Sequence, residues 1–79
     1  MKILYFAQAA DASGCREETW NMQAALGSDE FWVELEKRHP GMGALRPICR
    51  LACNCEYIGA TDSIQPDDEV ALIPPVSGG

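Results

Sequence analysis

The sequence predicts an α+β domain in which a mixed sheet of about five strands carries one main helix on one face. Three segments support this fold class. Residues 2–8 are rich in aromatic and branched aliphatic side chains, as in a strand, and residues 69–75 form a second extended apolar run. Between them, residues 28–41 carry the apolar spacing and the end signals of a helix. Helices that pack on one face of a sheet define the α+β class.

The first strand is predicted to form a hairpin with the segment that follows it. Residues 10–15 (ADASGC) have the composition of a turn. Residues 16–22 (REETWNM) place Trp20 and Met22 two positions apart, so both side chains would lie on one face of a second strand.

The predicted helix has clear boundaries. Ser28 is the expected N-cap, since its hydroxyl can accept a hydrogen bond from a free N–H of the first turn. Phe31, Trp32 and Leu35 follow the spacing of a buried helical stripe. Residues 40–41, Pro-Gly, end the helix.

The second half of the chain is predicted to add three strands. Residues 42–47 are expected to form a loop and residues 48–53 the third strand, with Arg50 facing outward. The inward side chains of that strand would be Cys49, Leu51 and Cys53. A short strand at 57–58 and a loop at 60–68 precede the final strand at 69–75.

The final strand is predicted to lie at the centre of the sheet. Its continuous apolar run, from Val70 to Ile73, is typical of a strand that is buried on both sides. A hairpin, a helix and a last strand that returns beside the first make a β-grasp arrangement. We therefore predict a β-grasp domain over residues 1–73 and an extended tail over residues 74–79.

The charge of the chain restricts its partners. Six basic residues against 12 acidic ones give a net charge of −6. Nucleic acid and anionic membranes are both disfavoured as partners, because binding them requires a basic patch. The apolar run from Ile3 to Ala7 is too short for the core of a signal peptide, so the expected location is the cytoplasm.

The four cysteines and the single histidine do not follow a metal-binding pattern. Cys49 and Cys53 would lie on one face of a strand with Leu51 between them, and same-face neighbours are about 6–7 Å apart, too far to share a zinc ion. We therefore predict no metal site, and expect buried cysteines to act as small apolar side chains. Cys15 and Cys55 are expected in turns. His39 has no candidate partner nearby in the sequence and is expected at the helix end.

The tail has the character of a thin, stiff probe. Pro74 and Pro75 fix φ and favour an extended backbone, and Gly78 and Gly79 have no side chain to block a narrow channel. The reactive group at its end would be the terminal carboxylate, a poor electrophile that another enzyme must activate. Since the sequence has no phosphate-binding loop or nucleophile–base pair, we predict a carrier or co-substrate and not an independent enzyme.

The sequence resembles the MoaD-type small subunit of molybdopterin synthase over essentially its whole length. The tail and the strand before it, DDEVALIPPVSGG, carry the resemblance, together with ILYFAQAAD, WVELEKRHPGM and ACNCEYI. The resemblance implies that a MoeB-like enzyme uses ATP to adenylate Gly79 and that a sulfur donor converts it to a thiocarboxylate. The sulfur would then pass to cyclic pyranopterin monophosphate. No cofactor is expected to stay bound to the chain.

The resemblance also implies a partner and a docking surface. The tail, including Val76 and Ser77, would enter the active site of a MoaE-type large subunit, in a heterotetramer with a small subunit at each end of a large-subunit dimer. Phe6, Tyr57 and Ile73 match the apolar docking positions of the family, although Phe6 could equally be a core residue.

Three other functions remain open from the sequence. A ThiS-type carrier for thiamine synthesis or a carrier for tRNA thiolation would share the Gly-Gly end. A protein modifier would join Gly79 to lysines, as ubiquitin does. A plain interaction module would use none of its last residues.

Overall fold

A computed structural model of the chain describes residues 1–75. Predictions for Val76, Ser77, Gly78 and Gly79 lie outside the described residues. Seven strands and three helical segments occur in this part of the chain. In order they are β1 (Lys2–Tyr5), α1 (Gln8–Ser13), β2 (Glu17–Thr19), β3 (Leu26–Gly27), α2 (Ser28–Arg38), a 3-10 helix (Pro40–Leu45), β4 (Arg50–Cys53), β5 (Glu56–Tyr57), β6 (Ser63–Ile64) and β7 (Glu69–Ile73).

Five of the strands form one mixed sheet in the order β2-β1-β7-β4-β5. β7 runs parallel to β1 and antiparallel to β4, so the final strand is at the centre of the sheet, as predicted. β2 and β5 are antiparallel edge strands. The mixed sheet and the main helix confirm the predicted α+β fold class, and the arrangement is that of a ubiquitin-like β-grasp domain.

The core lies between α2 and one face of this sheet. Phe31 and Leu35 of α2 are completely buried, and they pack in the same cluster as Val70 and Leu72 of β7. Trp20 stacks on Phe31 with a distance of 5.0 Å between ring centroids. The predicted helical stripe of Phe31, Trp32 and Leu35 is therefore core packing.

The predicted N-cap of α2 is wrong by one residue. Gly27 is the N-cap, and its backbone N–H donates to the Glu30 carboxylate at 2.9 Å. Ser28 is the first helical residue, and its hydroxyl donates to the carbonyl of Gly59 at 3.0 Å. The Ser28 side chain, which was predicted to cap the helix, therefore forms a long-range hydrogen bond to Gly59 instead.

Residues 10–15 are not a turn, because most of this segment belongs to α1. Three alanines within α1 favour the helical backbone, and Gly14 ends the helix in the left-handed conformation at φ 80°. The predicted first strand consequently ends at Tyr5 instead of Gln8. The helix buries Ala9 completely against the core.

Two predicted loops contain regular structure. Pro40–Leu45 is a 3-10 helix that buries Met42 completely. Residues 63–64 form β6, which pairs with β3 and buries Ile64. Both elements are too short to show a periodic pattern in the sequence. In residues 1–75 no helix is long and apolar enough to cross a membrane.

The prediction that the last strand is buried on both sides is wrong. Val70 and Leu72 are completely buried under α2, but Ala71 and Ile73 on the other face are only partly covered. In the described part of the chain no element packs over this second face in the way that α2 packs over the first.

Candidate functional site

The face of the five-stranded sheet that points away from α2 is called the open face here. Strand register places Leu4 of β1, Ala71 of β7, Ala52 of β4 and Tyr57 of β5 in one row across it. Paired residues point to the same face of a sheet, so this row is a continuous apolar strip.

The strip forms the floor of a shallow apolar groove of about 290 Å³. The groove is lined by Leu4, Phe6, Ala52, Cys55, Tyr57, Glu69, Ala71 and Ile73. The three residues predicted as a docking surface, Phe6, Tyr57 and Ile73, therefore lie together. Phe6 is 49% exposed and Tyr57 is 55% exposed, which excludes the alternative that Phe6 is a core residue. Exposed apolar side chains that line one groove are typical of an interaction site.

Phe6 reaches the groove because the chain reverses directly after β1. Ala7 adopts φ 48° and ψ −120°, and the backbone N–H of Ala9 donates to the Phe6 carbonyl at 2.9 Å. These values are those of a type II′ turn, in which glycine normally occupies the Ala7 position. The turn directs the chain into α1 and leaves the Phe6 ring on the surface.

The root of the tail, where Ile73 is followed by Pro74, lies at the apolar end of the groove. Ile73 is the last residue of β7, and Pro74 and Pro75 follow it without regular structure. Ile73 pairs with Arg50 across the sheet. The described part of the tail therefore leaves from the central strand, beside the groove.

Arg50 was predicted to face outward, and it is exposed. Its guanidinium carbon lies 4.0 Å from the centroid of the Tyr57 ring. No pattern in the sequence indicated this contact, because it depends on the pairing of β4 with β5 and on the diagonal distance across the two strands.

The turn between β4 and β5 closes the other end of the groove. Asn54 and Cys55 both have positive φ, at 51° and 72°. The Asn54 side chain donates to Asp68 at 2.9 Å and accepts from the Glu69 N–H at 3.0 Å, which fixes the turn against the start of β7. Burial, with help from the adjacent Asp68 carboxylate, raises the pKa of the Cys53 thiol to about 11. Cys53 is therefore a neutral thiol at physiological pH and a weak nucleophile.

A cluster of hydrogen-bonded polar side chains lies on the opposite side of the domain from the open face. Glu18 accepts hydrogen bonds from the Tyr5 hydroxyl, from Trp20 Nε1 at 2.9 Å and from His39 Nε2 at 2.8 Å. These four residues are called the Glu18 cluster. His39 lies at the end of α2, as predicted, and the fold gives it a partner on β2 that is 21 residues away in the sequence.

Two members of the Glu18 cluster, together with Cys15, have the side chains of metal ligands. Ligand atoms of Cys15, Glu18 and His39 lie within 4.8 Å of one another. Sequence spacing did not indicate this group, since its members come from three separate segments. One oxygen of Glu18 already accepts all three hydrogen bonds, which account for the approach of His39 to Glu18.

The fold and the groove define a small ubiquitin-like β-grasp protein with an exposed apolar groove beside the root of its tail. Residues 3–79 match the model of the ThiS family. The chain therefore belongs to the ThiS family. The predicted resemblance to MoaD-type small subunits is confirmed by the full-length relatives named molybdopterin synthase sulfur carrier subunit.

Curated relatives extend over the full length of the chain. It is 39% identical to the human molybdopterin synthase sulfur carrier subunit, over 100% of this chain and 93% of the human protein. It is 32% identical to the protein of the same name from Chlamydomonas reinhardtii, over 100% of this chain and 98% of the relative.

Solved structures agree on the fold. SAMP1 from Haloferax volcanii, a small archaeal modifier protein, superimposes with a TM-score of 0.82 at 26% identity, over 100% of this chain and 98% of that one. A chain in the complex of subunits 1 and 2 of the molybdopterin-converting factor from Helicobacter pylori matches at a TM-score of 0.65 and 20% identity. That match covers 99% of this chain and 96% of the other.

Proposed function

We propose that this chain is the sulfur-carrier subunit of a molybdopterin synthase and that it acts through the carboxylate of Gly79. The observation that carries the proposal is the 39% identity, over the whole chain, to the human sulfur carrier subunit. The apolar groove beside Ile73 supports it, because a carrier whose tail enters a partner needs a docking surface near the root of that tail.

Loading of the tail takes two steps on other proteins. On a MoeB-like enzyme, a Gly79 carboxylate oxygen attacks the α-phosphorus of ATP, forming an acyl-adenylate and releasing pyrophosphate. A donor that supplies sulfur at the oxidation level of sulfide then attacks the acyl carbon. A carbon–sulfur bond forms, the bond to AMP breaks, and the product is a thiocarboxylate. The chain itself supplies the acyl group and no cofactor.

Unloading takes place on the large subunit. The thiocarboxylate sulfur forms a bond to a carbon of cyclic pyranopterin monophosphate in place of a carbon–oxygen bond. Water then attacks the acyl carbon, which breaks the acyl carbon–sulfur bond and regenerates the Gly79 carboxylate. Two such transfers make the dithiolene of molybdopterin. The side chains that assist these steps belong to the large subunit, so this chain is a co-substrate of the complex.

The proposed complex gives each part of the chain a separate task. Phe6, Tyr57 and Ile73 dock on the MoaE-type large subunit, as the joined subunits of the Helicobacter pylori protein suggest. Pro74 and Pro75 keep the start of the tail extended, which lowers the entropy lost when it enters a channel. Val76, Ser77 and Gly78 lead Gly79 to the active site. A heterotetramer in the cytoplasm is the proposed assembly.

A protein modifier is the second candidate function. It is favoured by the likeness to SAMP1, at a TM-score of 0.82 and 26% identity. In that case Gly79 would form an amide bond with lysines of other proteins. Abundant lysine-linked adducts in cell extracts would support a modifier, whereas a carrier returns to its free carboxylate after each cycle. ThiS-type and tRNA-thiolation carriers are distinguished by the acceptor that takes the sulfur.

The central experiment follows the mass of the chain during activation. We expect incubation with the activating enzyme, ATP and a sulfur source to replace one oxygen of the full-length chain by sulfur, as seen by intact mass spectrometry. Deletion of Gly79 should abolish both this change and the synthesis of molybdopterin, because the shortened chain ends one residue too early in the channel.

The deletion also supplies its own stability control. Residues 1–73 contain the whole described core, so removal of Gly79 should leave the melting temperature within experimental error of the full chain. An unchanged mass under conditions that thiolate another carrier, or full molybdopterin synthesis without Gly79, would contradict the proposed function.

A further inference from the structure

The cationic side chain of Arg50 lies where the apolar groove meets the root of the tail. Arg50 is the first residue of β4, and its register partner is Ile73, the last residue of β7. Arg50 and Ala52 are two residues apart on β4 and therefore share the open face. The Arg50 guanidinium lies 4.0 Å above the ring of Tyr57, one of the groove residues.

The charge of Arg50 has no carboxylate partner among residues 1–75. The ion pairs in this part of the chain join Lys2 to Glu17, Arg38 to Glu34, His39 to Glu18 and Arg46 to Asp29. The acidic groove residue Glu69 is four positions before Ile73 on β7, about 13 Å away along the strand. Tyr57 therefore holds the guanidinium in place without neutralising it.

The stacked geometry leaves the hydrogen-bonding edge of Arg50 available. A guanidinium that lies over a ring contacts it with its face, while its N–H donors point outward in the plane. Stacking also fixes the side chain before binding, so less entropy is lost when a partner docks. The planar edge is suited to a carboxylate, which it can bind through two parallel hydrogen bonds.

Docking on the groove would remove water from Arg50. A charge that loses its water without gaining an opposite charge costs several kcal/mol. A partner that covers Phe6, Tyr57 and Ile73 must therefore offer a carboxylate at the Arg50 position. The chain as a whole has a net charge of −6, so a cation at this position contrasts with the acidic balance of the protein.

We infer that Arg50 is a specificity-determining residue that pairs with a carboxylate of the large subunit when the open face docks. This inference rests on the proposed function, which supplies the large subunit as the occupant. The groove is continuous with the root of the tail, so the protein that takes the tail is the one that covers the groove. Pairing at Arg50 would fix the orientation of the small subunit and aim its tail.

The test compares three variants by calorimetric titration of the full chain into the purified large subunit. Arg50→Glu should weaken binding by at least about 30-fold, since it places two carboxylates opposite each other. Arg50→Met keeps the apolar length and removes the charge, and should weaken binding by about 10-fold or more because the partner carboxylate is left unpaired. Arg50→Lys should fall between Arg50→Met and the unchanged chain, because lysine lacks the planar fork.

Lys37→Glu is the matched control for charge. It makes the same change of two charge units on α2, away from the open face, and should alter binding by less than about threefold. Salt provides a second readout that a purely structural role would not change. Added salt should weaken binding of the unchanged chain more than binding of Arg50→Met.

Each outcome of the titration bears on the inference. Binding of Arg50→Met and Arg50→Glu within twofold of the unchanged chain overturns the role of Arg50 and leaves the proposed function intact. Failure of the unchanged chain to bind the large subunit overturns both. If Arg50→Glu instead alters only the self-association of the chain in sedimentation, the face belongs to a second copy and the inference is wrong.

Discussion

Ala7 is one of three residues other than glycine with positive φ among residues 1–75. Its φ of 48° and ψ of −120° fall in a region that glycine occupies readily and alanine does not. Ala7 follows Phe6 directly, so the strained residue is adjacent to an exposed candidate docking residue. The sequence could not predict the turn, because alanines at this point favour a helix and do not indicate a reversal.

Replacing Ala7 by glycine should therefore stabilise the fold. We expect Ala7→Gly to raise the free energy of unfolding by about 1 kcal/mol, as strain is relieved by more than the entropy gained in the unfolded chain. Chemical denaturation measures this difference. Ala12→Gly, at an exposed position of α1, is the control and should lower stability by about 0.5–1 kcal/mol. Equal losses in both variants would contradict the strain at Ala7.

At the scale of elements, the Glu18 cluster joins β1, β2 and the end of α2. Tyr5 is on β1, Glu18 is on β2 and His39 follows α2 directly. Burial is the largest single influence on Glu18 and raises its pKa, but the hydrogen bonds from Tyr5, Trp20 and His39 together outweigh it. The net result is a pKa for Glu18 below its ordinary value of 4.5.

Because the pKa of Glu18 is lowered, part of the free energy of unfolding depends on pH. A carboxyl group whose pKa is lower in the folded state stabilises the fold above its ordinary pKa and loses this contribution as pH falls through the folded value. We expect Glu18→Gln to lose about 1–3 kcal/mol at neutral pH and to show a shallower loss of stability below about pH 4.5 than the unchanged chain. Urea titrations at a series of pH values measure both effects.

Glu17→Gln is the control for the loss of charge. Glu17 is next to Glu18 on β2, but it is exposed and forms only a surface ion pair with Lys2 at 3.2 Å. Its substitution should change stability by less than about 1 kcal/mol. The same acid dependence in Glu18→Gln and in the unchanged chain would exclude Glu18 as a source of it.

At the scale of the whole molecule, the two faces of the sheet differ in whether another element covers them. One face is sealed by α2 and holds the core, whereas the open face carries exposed apolar side chains beside the root of the tail. Under the proposed function, stability and docking therefore depend on different residues. A substitution on the open face should alter binding without altering the fold.

Phe6→Ser tests this separation. We expect it to weaken binding to the large subunit by roughly 30-fold and to change the free energy of unfolding by no more than about 0.5 kcal/mol, because the ring is 49% exposed in the free chain. Val33→Ser on α2, where Val33 is 50% exposed, is the matched control and should leave binding unchanged. Equal effects of the two substitutions on binding would exclude the groove as the docking site.

The sequence predicted the parts of this molecule that have a strong local pattern. The period of the apolar residues located α2, and the apolar run at 70–73 correctly placed the last strand at the centre of the sheet. α1 and β6 were missed because a six-residue helix and a two-residue strand are too short to display a period. Their formation depends on burial of Ala9 and Ile64 in the assembled core.

The candidate site was predictable in part. Phe6, Tyr57 and Ile73 were identified through the resemblance to a family, and the fold brings them to one groove. The stack of Arg50 on Tyr57 and the approach of His39 to Glu18 depend on contacts between distant segments. No local pattern encodes such contacts, so they require the structure.

The parallel pairing of β1 with β7 has a consequence for how the chain folds. Lys2 pairs with Glu69, so the first and last strands of the sheet can meet only after nearly the entire chain is available. Closing so large a loop is entropically costly and slows folding relative to domains built from neighbouring strands. Until β7 takes its place, β1 and β4 each lack their central neighbour, and the groove that lies across all three does not yet exist. A partner that binds this groove can therefore bind only molecules whose folding is complete.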